Sequence, residues 1–230
     1  MDSIDLNVRT YNKLYQNMKH AHEYPNVNVV RLEKWFFNEK IGTILDHGCG
    51  YAENSIFFAK RGYNVIGIDV SEELIKFNRL KAHIKQIPES LIEFKTITGK
   101  IPLFFENETF DYVISLGVLE MMGSPDKASA CVSELARCLK SGGKMIVSTL
   151  APENTFVEKS HPTRNEEIFE YRGKEMDKDT LLEYNLYIPK NEESFSSIFS
   201  ETCEVNEIGS WDNAYCNVKG KHFVALVTKR

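Results

Sequence analysis

Between residues 43 and 149 the chain alternates short apolar runs with helical stretches, and this alternation narrows the available folds more than any other feature. Thr43-Ile44-Leu45-Asp46 and Val65-Ile66-Gly67-Ile68-Asp69 read as buried strands, with further strands expected at 92–97, 112–116 and 144–149. Helices are expected between them. One runs from 54 to 61. A second is capped by Ser71, carries Glu72 and Glu73 in its first turn, and stops at Pro88. A third opens with Ser124-Pro125, places Ala128, Val132, Leu135 and Leu139 on one face, and ends at Gly142-Gly143. Strands separated by helices imply right-handed crossovers, a parallel sheet and a doubly wound α/β fold.

The flanking segments break the pattern. Two helices, 5–18 and 27–38, are expected before the first strand. Residues 151–190 are polar and charged with scattered aromatics, and repeat no βα unit. After a helix at 192–200, two consecutive β-like segments, 203–208 and 223–228, predict an antiparallel hairpin closing the sheet edge. The 230 residues correspond to about one and a half typical domains, so a single domain is expected over 1–230. It divides into a helical cap (1–40), a core (41–150), an insertion (151–190) and a terminal helix with hairpin (191–230).

Composition excludes several classes. With 28 Lys and Arg against 33 Asp and Glu, the net charge of −5 argues against a generic nucleic-acid binder, whose affinity rests on cation–phosphate contacts. No apolar run approaches the roughly 20 residues that span a bilayer, and Asp2, Asp5 and Arg9 interrupt any signal-like core at the N-terminus. No membrane partner is expected. Five cysteines without Cys-x-x-Cys spacing predict reduced thiols in a cytoplasmic protein, no disulfide framework and no metal site. Nothing in the sequence sets an oligomeric state.

The sharpest local feature is the strand running into Gly48-Cys49-Gly50. Glycines there let the backbone turn tightly and approach a ligand at the sheet's carboxyl edge, although a purely structural turn would use glycine too. The dinucleotide fingerprint wants a third small residue, and Glu53 stands there instead. Acids on both sides of the glycines, Asp46 and Glu53, suit a cationic ligand better than a pyrophosphate. Asp69, at the end of the second strand, is placed to accept hydrogen bonds from ribose hydroxyls.

Taken in order, Asp46-His47-Gly48-Cys49-Gly50, Gly67-Ile68-Asp69-Val70-Ser71, Phe110-Asp111-Tyr112-Val113-Ile114 and Leu139-Lys140-Ser141-Gly142-Gly143-Lys144 resemble the ordered motifs of class I S-adenosylmethionine-dependent methyltransferases. The resemblance covers residues 41–150 and fits the terminal hairpin. It implies a seven-stranded, mostly parallel, Rossmann-like sheet with an antiparallel last strand, S-adenosylmethionine as cofactor, and methyl transfer to a small molecule or sugar derivative, oxygen being the favoured atom. It places Asp46 near the methionine end, Gly48, Cys49 and Gly50 in backbone contact, Asp69 on the ribose, Val70 on the adenine and Leu116 facing the cofactor. Gly99 stands where the family carries an Asp for the adenine amino group, which shifts that role to the backbone of Thr98, Gly99 or Lys100. Tyr11 and Tyr15, on consecutive turns of the first helix, would cover the cofactor or pack in the core.

Many relatives that act on small molecules carry a His after the fourth strand, where this chain has Met121. The remaining base candidates are His20 and His22 near Tyr24, and His161 in the insertion that would form a substrate lid after the fifth strand. Two other readings share these features. A catalytically silent cofactor-binding subunit would bind the cofactor and yield no methylated product. A nicotinamide-dependent dehydrogenase would share the sheet and Asp69, but the glycine loop lacks its third small residue.

Overall fold

A computed structural model describes residues 2–15, 24–38, 40–174, 181–214 and 219–230. The alternation of residues 43–149 becomes β1 (Thr43–His47), α3 (Glu53–Lys60), β2 (Asn64–Asp69), α4 (Glu72–Ile84), β3 (Ile92–Thr96), β4 (Phe110–Leu116), a 3₁₀ turn (Leu119–Met122), α5 (Pro125–Cys138) and β5 (Leu139–Leu150). Before them lie α1 (Ser3–Tyr15) and α2 (Val27–Trp35). After them come α6 (Thr155–Glu158), β6 (His161–Pro162), β7 (Ile168–Lys174), β8 (Leu181–Tyr187), α7 (Glu192–Ser196), β9 (Cys203–Asp212) and β10 (Lys221–Lys229).

The main sheet has the order β3-β2-β1-β4-β5-β10-β9. Strands β1 to β5 pair in parallel, and β10 runs antiparallel to both β5 and β9. Strand order reverses between β1 and β4, which opens a crevice at their carboxyl ends. Successive side chains of β1 point to opposite faces. Ile44 joins Val65, Ile114, Ile146 and the helical residues Val29, Ile56, Phe58 and Ile75 on one face. Leu45 joins Val113, Met145, Val147 and the α5 residues Ala128, Val132 and Leu135 on the other. Helices α2, α4 and α5 each start at a side-chain cap: Asn26 accepts from Asn28 N–H at 2.9 Å, Ser71 from Leu74 N–H at 3.4 Å, and Ser124 from Lys127 N–H at 3.3 Å with Pro125 following.

The insertion departs from expectation. It holds a separate three-stranded antiparallel sheet, β6-β7-β8. Its inner face pairs Phe169 with Leu186 and Tyr171 with Tyr184 across the ladder. Phe156 stacks on Tyr171 at 4.3 Å between ring centroids, and the group packs with Leu150, Val157 and Leu182.

Helix α1 is tied to this second sheet by side chains acting as a strand would. Asn7 donates to Asn185 O at 2.7 Å and accepts from Asn185 N–H at 2.9 Å. The same amide donates to Met121 O at 2.6 Å, and Thr10 donates to Glu183 O at 2.8 Å. One buried residue thus pins the N-terminal helix to the insertion and to the turn after β4. No helix among the described residues is long and apolar enough to cross a membrane.

Candidate active site

The glycine loop is fixed to the end of β2. The N–H groups of Gly48 and Cys49 donate to Ile68 O at 2.8 and 2.9 Å, and Gly50 N–H donates to Asp69 Oδ2 at 3.0 Å. Asp69 Oδ1 accepts from Ser71 N–H at 2.9 Å, and Asn78 donates to Gly50 O at 2.7 Å. Gly48 has φ +71°, and a Cβ there would lie 2.3 Å from Val118 Cγ2. The backbone sign and the packing of Val118 therefore both demand glycine.

Above this loop, at the carboxyl edge of β1, β2 and β4, lies a mostly apolar cavity. His47, Gly48, Asp69, Val70 and Leu116 line its sheet side; Ile97, Gly99, Lys100 and Leu103 line the segment after β3. Helix α5 contributes Cys131, Glu134 and Leu135, and the turn after β4 contributes Gly117, Val118, Met121 and Met122. Helix α1 closes the cavity with Ile4, Asn7, Val8 and Tyr11, spaced i, i+3, i+4 and i+7 on one helix face. Val8 reaches the segment after β3, since a Cβ on Gly99 would meet Val8 Cγ2 at 2.9 Å and Val70 Cγ1 at 3.2 Å.

Seven of the twelve residues assigned to the cofactor from sequence touch the cavity: Tyr11, Gly48, Asp69, Val70, Gly99, Lys100 and Leu116. Asp46 shares the face of Ile44, points under the loop and accepts a 2.5 Å hydrogen bond from Ser55; it is buried and does not line the cavity. Burial pushes its carboxyl up to about 7. Glu53 is not an acid facing the ligand either: it pairs with Lys81 at 2.8 Å, and Lys81 also donates to Tyr51 O at 2.8 Å. Cys49 packs inward, and burial raises its thiol well above the usual range. Gly50 does not line the cavity, and Thr98 accepts from Lys100 N–H at 3.3 Å. Lys100 itself pairs with Asp5 at 2.9 Å.

Among the histidines, His47 is buried with Nδ1 2.9 Å from Ser115 Oγ, and burial lowers its pKa to about 4, so the ring is neutral. His161 sits exposed on β6, paired with Glu170 and away from the cavity wall. His20 and His22 lie outside the described residues, as does the side chain of Tyr15. No group of three or more His, Cys, Asp or Glu side chains among the described residues converges on a metal-sized site. The free cysteines among the described residues, Cys49, Cys131, Cys138 and Cys203, are buried.

Three residues in or beside the site carried no signal in the reading from sequence. Asn7 is one, the clamp on α1. Glu134, on α5, accepts from Leu103 N–H at 2.7 Å and pairs with Arg137. Glu120, in the 3₁₀ turn, is buried, and Oε2 has no hydrogen-bond partner. The helical spacing of Ile4, Val8 and Tyr11 was a signal for the α1 wall; for Glu120 none existed.

Residues 45–147 match the family model of a methyltransferase domain. Two ubiquinone biosynthesis O-methyltransferases are similar over this region. That of Idiomarina loihiensis is 37% identical over 109 residues, covering 46% of this chain and 42% of the relative. That of Hydrogenovibrio crunogenus is 33% identical over 126 residues, covering 54% and 50%. The chain thus spans about half the length of the curated relatives it matches. A solved S-adenosylmethionine-dependent methyltransferase of Methanosarcina mazei superposes with a TM-score of 0.70 at 21% identity, over 85% of this chain and 96% of its own.

Proposed function

We propose that the chain, whose residues 45–147 match the model of a methyltransferase domain, is a class I S-adenosylmethionine-dependent methyltransferase that transfers a methyl group to oxygen of a small-molecule acceptor, in the cytoplasm. Residues 41–150 with the terminal strands would carry the cofactor, and residues 1–40 with 151–190 would choose the acceptor. The names of the curated relatives support oxygen as the accepting atom. The apolar cavity and the net charge of −5 favour a small molecule over nucleic acid.

The cavity fits the cofactor on its own chemistry. Asp69 is a buried carboxylate on the cavity wall, with two oxygens already holding Gly50 and Ser71 and lone pairs to spare for ribose hydroxyls. Val70 and Leu116 offer apolar surface to an adenine ring, and the backbone around Gly99 lies beside them. S-adenosylmethionine, when bound, supplies a methyl group already activated by its positive sulfur. What remains for the protein is alignment and exclusion of water. The neutral ring of His47 adds no positive charge to that end of the site, and Ile4, Val8 and Tyr11 on α1 add to its wall.

Asp69 carries this reading, because it fastens the glycine loop and faces the cavity at once. Calorimetric titration should find S-adenosylmethionine binding to the folded protein. Asp69→Ala should weaken it by about 1–3 kcal/mol, the value of hydrogen bonds to a charged group. The loss should shrink for an S-adenosylhomocysteine analogue lacking the ribose 2′-hydroxyl. No binding to the wild type, or an equal loss with both ligands, would sink the assignment.

A further inference from the structure

On the face of the main sheet that carries α2 and α3, a groove stays open between α2 and the last two strands. Its floor is Gly209 of β9 with Val224, its neighbour on β10. Arg31 and Trp35, one turn apart on α2, form one side. Glu207 and Trp211 of β9, which alternate with Gly209 and share its face, form the other. Both tryptophans of the chain therefore stand at this one groove.

Three features of the groove are unanswered within a single copy. Trp35 is 61% exposed, and Val27, two turns earlier on α2, is 55% exposed. Gly209 leaves a hole: a Cβ built there meets nothing within 4 Å, and its φ lies outside the left-handed region that would call for glycine. Arg31 and Glu207 are exposed and opposite in charge, and neither forms an ion pair among the described residues. Exposed apolar surface rimmed by charge marks a binding face. A small apolar ligand would fill the hole and leave both charges unmet. A second copy of the chain brings a knob for the hole and a counter-charge for each charge.

We propose that this groove is the interface between two copies of the chain related by a two-fold axis, with Trp35 of each copy seated over Gly209 of the other and Arg31 of each meeting Glu207 of the other. Two-fold symmetry makes every such contact twice. The interface then holds two buried tryptophans and two ion pairs, and tryptophan and arginine are the residue types that dominate interface energies. The groove shares no residue with the cavity above the glycine loop. The pairing therefore stands or falls independently of the methyltransferase reading.

Sedimentation equilibrium of the full chain over a dilution series should show the mass passing from two copies to one. Tryptophan emission should move to the red over the same range, because both tryptophans report on this face. Trp35→Ala should raise the dissociation constant by about 30-fold or more. Gly209→Val fills the floor, removes no contact within the copy, and should block association. The decisive arm uses charge. Arg31→Glu alone sets Glu against Glu twice, and Glu207→Arg alone sets Arg against Arg twice, so each variant should stay single where the wild type pairs. Mixed in equal amounts, the two variants should pair again, because every contact across the two-fold then joins opposite charges. A wild type that stays single at all concentrations would overturn the proposal, whether its emission is that of exposed or of covered tryptophan. So would a dimer untouched by Gly209→Val, or charge variants that remain apart when mixed.

Discussion

Removing the Asn7 amide should free α1 without unfolding the sheet. Asn7 makes three hydrogen bonds of 2.6–2.9 Å from a position 3% exposed, two to the β8 backbone at Asn185 and one to Met121 O. In Asn7→Ala these are lost together, at a net value of about 1 kcal/mol each, and the Asn185 N–H and two carbonyls lose their partner. A total of about 2–4 kcal/mol follows, equivalent to a factor of roughly 30 to 1,000 in the opening equilibrium of α1. The other polar anchors of this segment, Thr10 on Glu183 O, the Lys127–Asp2 and Lys100–Asp5 pairs and the Ser3 bonds to Lys127 and Met122 O, lie mostly toward solvent, so the loss should appear as local opening. Native-state hydrogen exchange followed by mass spectrometry reads this directly. Amides of α1 and the outer edge of β8 should exchange faster by that factor, while those of β1 and β4 stay unchanged. Asn7→Asp should be worse than alanine, because it sets a negative charge against two carbonyl oxygens. Unchanged exchange in α1 would refute the clamp. Equal acceleration in β1 and β4 would show that α1 is not a separable unit.

Other perturbations act on the loop beneath the cavity. Lys81→Met strands the nearly buried Glu53 carboxylate and should destabilise the fold by about 3 kcal/mol, with Glu53→Gln in the same chain restoring most of it in urea titrations. Gly48→Ala meets both φ +71° and Val118 Cγ2 at 2.3 Å, so it should cost about 1–3 kcal/mol, and Val118→Ala should relieve the steric part in a double-mutant cycle. Asp46, raised from 3.8 to about 7 by burial, is ionised in the unfolded chain and protonated in the folded one between those values. Its contribution therefore falls as pH rises from about 4 to 7, by at most about 4 kcal/mol, and is flat above that. Asp46→Asn should remove this slope, so that the stability difference between variant and wild type widens in the variant's favour toward pH 7.

How far the sequence could be read depended on what each segment buries. Strands β1, β2, β4 and β5 are covered on both faces, so they appear as apolar runs between helices, and the crossovers follow from handedness. Strands β7 and β8 are covered on one face. In Phe169-Glu170-Tyr171-Arg172 the alternation was present, but its charged half made the segment look like a solvated lid. Parity settles Asp46 as well: two residues beyond Ile44, it must point with Ile44 toward α3, so its place under the loop was legible. Glu53 was misplaced because its partner, Lys81, lies 28 residues away on another helix. Glu120 was beyond reach, since a glutamate in a turn after a strand reads as exposed until tertiary packing closes over it.

The order of β9 and β10 bears on how the chain is made. Strand β10 lies between β5 and β9, although β9 comes first in the chain. While residues 221–229 are still inside the ribosome, β9 has no seat in the sheet and β5 presents an unpaired edge. Until then the growing chain has five of its seven strands to assemble, with a ready template for another molecule's strand along one side. The last strand to emerge seats its predecessor and covers that edge in a single event.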